Sequence, residues 1–168
     1  KASTGKMILL VGEPGSGKSV ALRYLAQKLA QRAMKARNAK SIIPIYVNLR
    51  TLDRSESEKI DKHLIHNFAL KSLDWVRDQE FLTKEFDRGL KEGTWLFLFD
   101  SFDELPDLLS STEVDDTIRN YQKAISNFLY DDNHSRCIVA SRIFPGTRQS
   151  EWPRFEIKPL TEERREDL

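Results

Sequence analysis

The chain has 168 residues, 39% of them hydrophobic and 32% charged, with a formal net charge of +1. That composition suits one globular domain with a single core and excludes a disordered chain. A balance so close to neutral exerts no global pull on nucleic acid or anionic lipid, and there is no direct nucleic-acid signal.

The run Met7-Ile8-Leu9-Leu10-Val11 is short, apolar and closed by Gly12, the pattern of a buried strand. Leu22, Leu25, Ala26, Leu29, Ala30, Ala33 and Met34 then recur at the spacing of one helix face. Lys28, Arg32, Lys35 and Arg37 lie opposite, read as a solvated face suited to the helix C-terminus rather than a basic patch. A second strand is expected over Ile43 to Leu49, with Pro44 placing it at its own start or on a sheet edge.

Ser55-Glu56-Ser57-Glu58 has the form of a capping box ahead of an apolar stripe of Ile60, Leu64, Ile65 and Phe68. His63 and His66 share that helix face without further metal-type ligands, so a solvated pair is expected. Another helix is expected from Asp78 to Leu90, ended by Gly93. Trp95-Leu96-Phe97-Leu98-Phe99 is apolar throughout, as a central parallel strand is, and ends on Asp100. Ile118, Tyr121, Ile125, Phe128 and Leu129 mark a further helix, broken by Asp131-Asp132-Asn133.

A fourth strand is expected over Cys137 to Ala140 and a fifth over Phe155 to Ile157. Cys137, the one cysteine, reads as a small buried hydrophobe. No apolar run approaches ~18 residues, so no membrane span is expected and the expected location is cytoplasmic. Alternating strand and helix predict an α/β fold around a parallel sheet. Residues 1–160 are expected to form one domain, with 161–168 opening a helical segment toward a further domain of a longer protein.

Gly12-Glu13-Pro14-Gly15-Ser16-Gly17-Lys18-Ser19, followed by Val20, fits G-x-x-x-x-G-K-[ST] between a strand and a helix. Glycines let the backbone wrap phosphates with its amides, and the helix adds its positive end. Lys18 can reach the β- and γ-phosphates, and Ser19 offers a hydroxyl to Mg²⁺. Asp100, acidic at the carboxyl end of an apolar strand, fits a carboxylate holding Mg²⁺ through water. Asp103 and Glu104 lie just beyond, where one of them can line up a water on the γ-phosphate, or else they are solvated loop charges. Arg142 follows the fourth strand, as a γ-phosphate sensor beside Ser141 or as half of a structural ion pair. The expected ligands are ATP or ADP with Mg²⁺, although a loop that reads phosphates leaves the base itself open.

Taken together, these segments resemble the NACHT-type nucleotide-binding domain of the STAND class of P-loop signalling NTPases. Asp100-Ser101-Phe102-Asp103-Glu104 is similar to that family's extended acidic motif, and Gly12 to Ser19 to its phosphate loop. Ile45-Tyr46-Val47-Asn48-Leu49-Arg50, Ala140-Ser141-Arg142 and Ile157-Lys158-Pro159-Leu160-Thr161-Glu162-Glu163 resemble its second strand, sensor segment and exit to a helical domain. The resemblance implies a P-loop three-layer sandwich with a five-stranded parallel sheet in the order 5-1-4-3-2. It also implies a nucleotide-controlled switch with slow hydrolysis, self-association on activation, and effector and sensor domains elsewhere in the same chain. The rival readings are an AAA+-like motor and a scaffold that binds nucleotide without hydrolysing it.

Overall fold

The computed structural model describes residues 6–36, 41–54, 59–73, 79–130, 134–143 and 152–158. Five strands form one sheet: β1 (Met7–Val11), β2 (Ile43–Asn48), β3 (Trp95–Asp100), β4 (Arg136–Ser141) and β5 (Arg154–Glu156). Their spatial order is β2-β3-β4-β1-β5, and each neighbouring pair is parallel. This is the expected order read from the opposite edge. Pro44 lies in β2, which is an edge strand, where its missing N–H leaves no gap in a central ladder.

The helices are α1 (Lys18–Lys35), α2 (Lys62–Lys71), α3 (Gln79–Glu92), α4 (Pro106–Ser110) and α5 (Val114–Tyr130). One sheet face, with Leu9, Val47, Phe97, Phe99 and Val139, packs on Ile65, Phe86, Ile118 and Ile125 from α2, α3 and α5. The other face lies under α1, where Leu22 meets Leu98 and Ala140, with Leu10 and Tyr46 half-buried beside them. Side chains alternate along a strand, so Phe97 and Phe99 serve the larger core while Leu98 and Asp100 face α1. A one-residue slip of β3 would turn Asp100 into the apolar core.

Gly93 ends α3 as expected. Its φ is +71°, its N–H donates to the Leu90 carbonyl at 3.3 Å, and Thr94 N–H donates to Gly89 at 2.9 Å. That pair of bonds satisfies carbonyls the helix end would otherwise leave open. A Cβ at Gly93 would stand 2.9 Å from the His134 carbonyl oxygen. Gly93→Ala should therefore lower stability by at least ~1–2 kcal/mol, the cost of a left-handed alanine. A fall in the urea midpoint at unchanged slope would register it.

Several local expectations change. Asp61 caps α2, its Oδ1 accepting from His63 N–H at 2.9 Å and Leu64 N–H at 3.1 Å. The helix thus opens later than a cap at Ser55 would require; residues 55–58 and Asp78 lie outside the described residues. β2 stops at Asn48, whose side chain accepts from Arg50 N–H at 3.3 Å and caps a 3₁₀ turn over Leu49–Thr51. β5 begins one residue earlier than expected, and α4, opened by Pro106, has no counterpart in the hydrophobic pattern.

His66 is not part of a solvated pair. It is half-buried, its Nε2 lies 2.9 Å from Asp87 Oδ1, and its ring meets Phe86 edge-on. Among the described residues no His, Cys, Asp or Glu cluster is arranged to hold a metal. Cys137 is buried, and burial pushes its thiol pKa well above the ordinary value. No helix among the described residues is long and apolar enough to cross a membrane. The expected helical segment at 161–168 lies outside them.

Candidate functional site

Beyond β1 the chain turns through Gly12 to Gly17 before entering α1. Gly15 and Gly17 adopt φ of +76° and +88°, which side chains disfavour. A Cβ at Gly12 would fall 2.5 Å from Ser16 Oγ and 3.0 Å from the Ile157 carbonyl oxygen. Ser16 N–H donates to the Glu13 carbonyl at 3.1 Å and closes the turn. α1 begins at Lys18 with no side-chain cap and no acidic residue in its first turn. Its positive end is thereby available to an external anion.

Lys18 Nζ donates to the carbonyls of Gly12 and Glu13, each at 2.8 Å, and to Ser16 Oγ at 3.4 Å. Burial lowers its pKa, against the attraction of Asp103, Asp100 and Glu104 and with the repulsion of Arg142.

Across the cleft, Asp100 is 3% exposed. Its Oδ1 accepts from Ser101 N–H at 2.9 Å, and its Oδ2 from the Tyr46 hydroxyl at 2.6 Å. Ser101 has φ 60°, the one left-handed non-glycine among the described residues. That turn sends the chain sharply aside, and Glu104 N–H donates back to the Ser101 carbonyl at 3.0 Å. The Phe102–Glu104 3₁₀ turn follows; Phe102 is buried in the core, and Asp103 and Glu104 return to the cleft.

Arg142, at the exit of β4, meets both acids. Its N–H donates to Asp103 Oδ1 at 2.9 Å, and its Nε lies 3.0 Å from Asp103 Oδ2. Its Nη2 donates to Glu104 Oε1 at 2.9 Å. Ser141 Oγ adds a 3.4 Å bond to Asp103, and Arg50 Nη1 lies 3.5 Å from Glu104 Oε2.

A cleft of about 310 Å³ gathers these groups. Pro14, Gly15, Gly17, Lys18, Ser19 and Val20 form one wall, and Asp100, Asp103, Glu104 and Arg142 the other. Gly12, Glu13 and Ser16 lie behind, as partners of the Lys18 ammonium. The oxygens suited to a hard divalent cation are the Ser19 hydroxyl and the Asp100 carboxylate, which keeps lone pairs beyond its two hydrogen bonds. The donor set fits such an ion.

Tyr46, Ser101 and Arg50 stand in the sequence only inside longer motifs, which predict no role at the site for any of them. Tyr46 follows only from the register of β2 against β3, which pairs Asn48 with Asp100 and leaves Tyr46 on the same face.

The NACHT domain family model matches residues 6–168. No curated protein matches. Among solved structures, a chain of the E. coli MS115-1 HORMA:CdnC:Trip13 complex aligns with a TM-score of 0.52 and 11% identity, over 96% of this chain and 51% of that one. The Aeropyrum pernix ORC2 protein in its ADP form aligns with a TM-score of 0.47 and 12% identity, over 92% and 42%. The chain thus spans about half the length of the solved structures it matches.

Proposed function

The chain belongs to the NACHT domain family of P-loop NTPases, and we propose that it binds ATP with magnesium and hydrolyses it slowly as the core of a signalling switch. What carries this function is the position of Arg142, which spans Asp103 and Glu104 in the cleft that holds Lys18. A charge that already shares two acids is poised to exchange them for a γ-phosphate.

The backbone amides of the loop and the first turn of α1 would hold the β-phosphate. Lys18 would leave the Gly12 and Glu13 carbonyls for the β- and γ-phosphate oxygens. When bound through Ser19 and, by way of water, Asp100, magnesium would neutralise charge on those same oxygens. Arg142 would turn from Glu104 toward the γ-phosphate, uncovering that carboxylate to orient and deprotonate a water. Asp103 is the less free of the two acids, since the Arg142 N–H and Ser141 also hold it. It would anchor the sensor loop while Glu104 works on water. The pairs that Arg142 and Arg50 make with Glu104 would compete with water for that carboxylate, which supports a slow turnover.

ADP has no γ-phosphate, so with ADP the acids would keep Arg142. That difference supplies a readable state, which self-association and the effector and sensor domains of a longer cytoplasmic protein would act on. Magnesium-dependent phosphate release from ATP by the purified chain tests the enzyme; ATP bound but never cleaved would leave a scaffold instead. Arg142→Ala tests the switch. Losing one charge-assisted contact to the γ-phosphate, about 1.5–3 kcal/mol, should shrink the ATP-to-ADP affinity ratio roughly ten- to a hundred-fold. Calorimetric titration of both nucleotides would read it, and equal ratios in variant and parent would sink the sensor role.

A further inference from the structure

We propose that Tyr46 is a positioning residue for the metal-binding carboxylate: its hydroxyl fixes the plane of Asp100, and Arg23 fixes the hydroxyl. This rests on Asp100 serving the metal, as proposed above.

The parallel pairing of β2 with β3 sets Asn48 opposite Asp100, so Tyr46, two residues back, shares its face of the sheet. The Tyr46 hydroxyl donates to Asp100 Oδ2 at 2.6 Å, the short range typical of a bond to an ionised carboxylate. From behind, Arg23 Nε donates to the same hydroxyl oxygen at 3.3 Å, and its guanidinium lies 5.4 Å from the ring centroid. A phenol oxygen that accepts from a guanidinium directs its own proton elsewhere, here to Asp100.

Ser101 N–H holds the other carboxylate oxygen at 2.9 Å. Aspartate rotates readily about its terminal torsion, and bonds to both oxygens remove that freedom. The remaining lone pairs are then aimed by the protein rather than by the ion. Arg23 stands four residues after Ser19 on α1, hence on the same helix face. The line Arg23–Tyr46–Asp100 therefore ties the helix that carries the Ser19 hydroxyl to the strand that carries the carboxylate. Removing the Tyr46 hydroxyl would leave a nearly buried oxygen without its protein donor, while the ring would keep its packing against Leu22 and Leu98.

The experiment is a titration of a fluorescent ATP analogue at increasing magnesium, and again in EDTA, on the parent, Tyr46→Phe and Asp100→Asn. Tyr46→Phe should raise the magnesium concentration for half-maximal gain in affinity about ten-fold, as expected when a ligand's supporting bond is lost. Affinity in EDTA should not change. An unchanged magnesium midpoint overturns the proposal, and so does an equal loss with and without the ion, which a merely loosened fold would produce. Arg23→Ala, at an exposed position, guards against misfolding of the tyrosine variant and should shift the midpoint less, in the same sense. If neither variant shifts it, Tyr46 has no positioning role. If Asp100→Asn abolishes the magnesium gain and Tyr46→Phe spares it, only this inference fails. If the parent shows no magnesium gain, or Asp100→Asn keeps it, the metal role of Asp100 fails first and this one with it.

Discussion

Replacing Lys18 by alanine should abolish binding of a nucleoside triphosphate, with affinity falling by at least about 10²-fold. The ammonium sits between two backbone carbonyls of the loop, 2.8 Å from each, inside the curve that phosphates would fill. Each charge-assisted hydrogen bond is worth about 1.5–3 kcal/mol, and losing two costs about 3–6 kcal/mol. At 1.4 kcal/mol per decade that is roughly 10²–10⁴ in the dissociation constant. Stability should change little, because the freed carbonyls border an open cleft where water replaces the ammonium. Arginine would be a poor substitute, since its planar fork cannot enter the loop as a point charge does. Titration calorimetry at matched unfolding midpoints would settle it. Affinity within about threefold of the parent would mean that phosphates bind elsewhere.

The second large effect concerns rate rather than binding. Asp103→Asn combined with Glu104→Gln should keep ATP binding and reduce hydrolysis by about 10²–10⁴, the usual worth of a positioned base. The variant removes two negative charges from the cleft proposed to take the γ-phosphate and releases Arg142 from both of its anionic partners. Triphosphate affinity should therefore hold or rise while phosphate release in a single turnover collapses. Glu104→Gln alone should account for most of the loss. Asp103→Asn alone should also disturb ADP affinity, through the Ser141-Arg142 segment it holds. A double variant as fast as the parent would remove both acids from the mechanism.

Much of the architecture was legible because the site motifs and the hydrophobic pattern agree. A glycine-rich loop between an apolar run and a helical stripe, with an acid after a second apolar run, fixes two strands and the end of the sheet they share. Gly93 was readable because its helix ends where only a left-handed residue fits. Asp61 and His66 were not. A cap depends on where a helix starts within a few polar residues, and a surface histidine looks the same in sequence whether or not a partner helix carries Asp87. Ser101 shows a third kind of limit. Its smallness was visible, but the left-handed turn that brings Asp103 and Glu104 back over the cleft is a backbone property. Tyr46 needed pairing register, which no local pattern encodes.

Lys18, Arg50 and Arg142 stand among Asp100, Asp103 and Glu104, so the charges of the cleft largely cancel before anything enters. A balanced site casts little field beyond its rim and cannot steer an anion from a distance. Capture of the proposed nucleotide would instead proceed by exchange at contact, each cation giving up an internal partner for an external oxygen. A lone phosphate offers few such exchanges and a polyphosphate chain several. On the proposed reading, discrimination in favour of the longer ligand would then rest on the resting ion pairs, before any group has read its base.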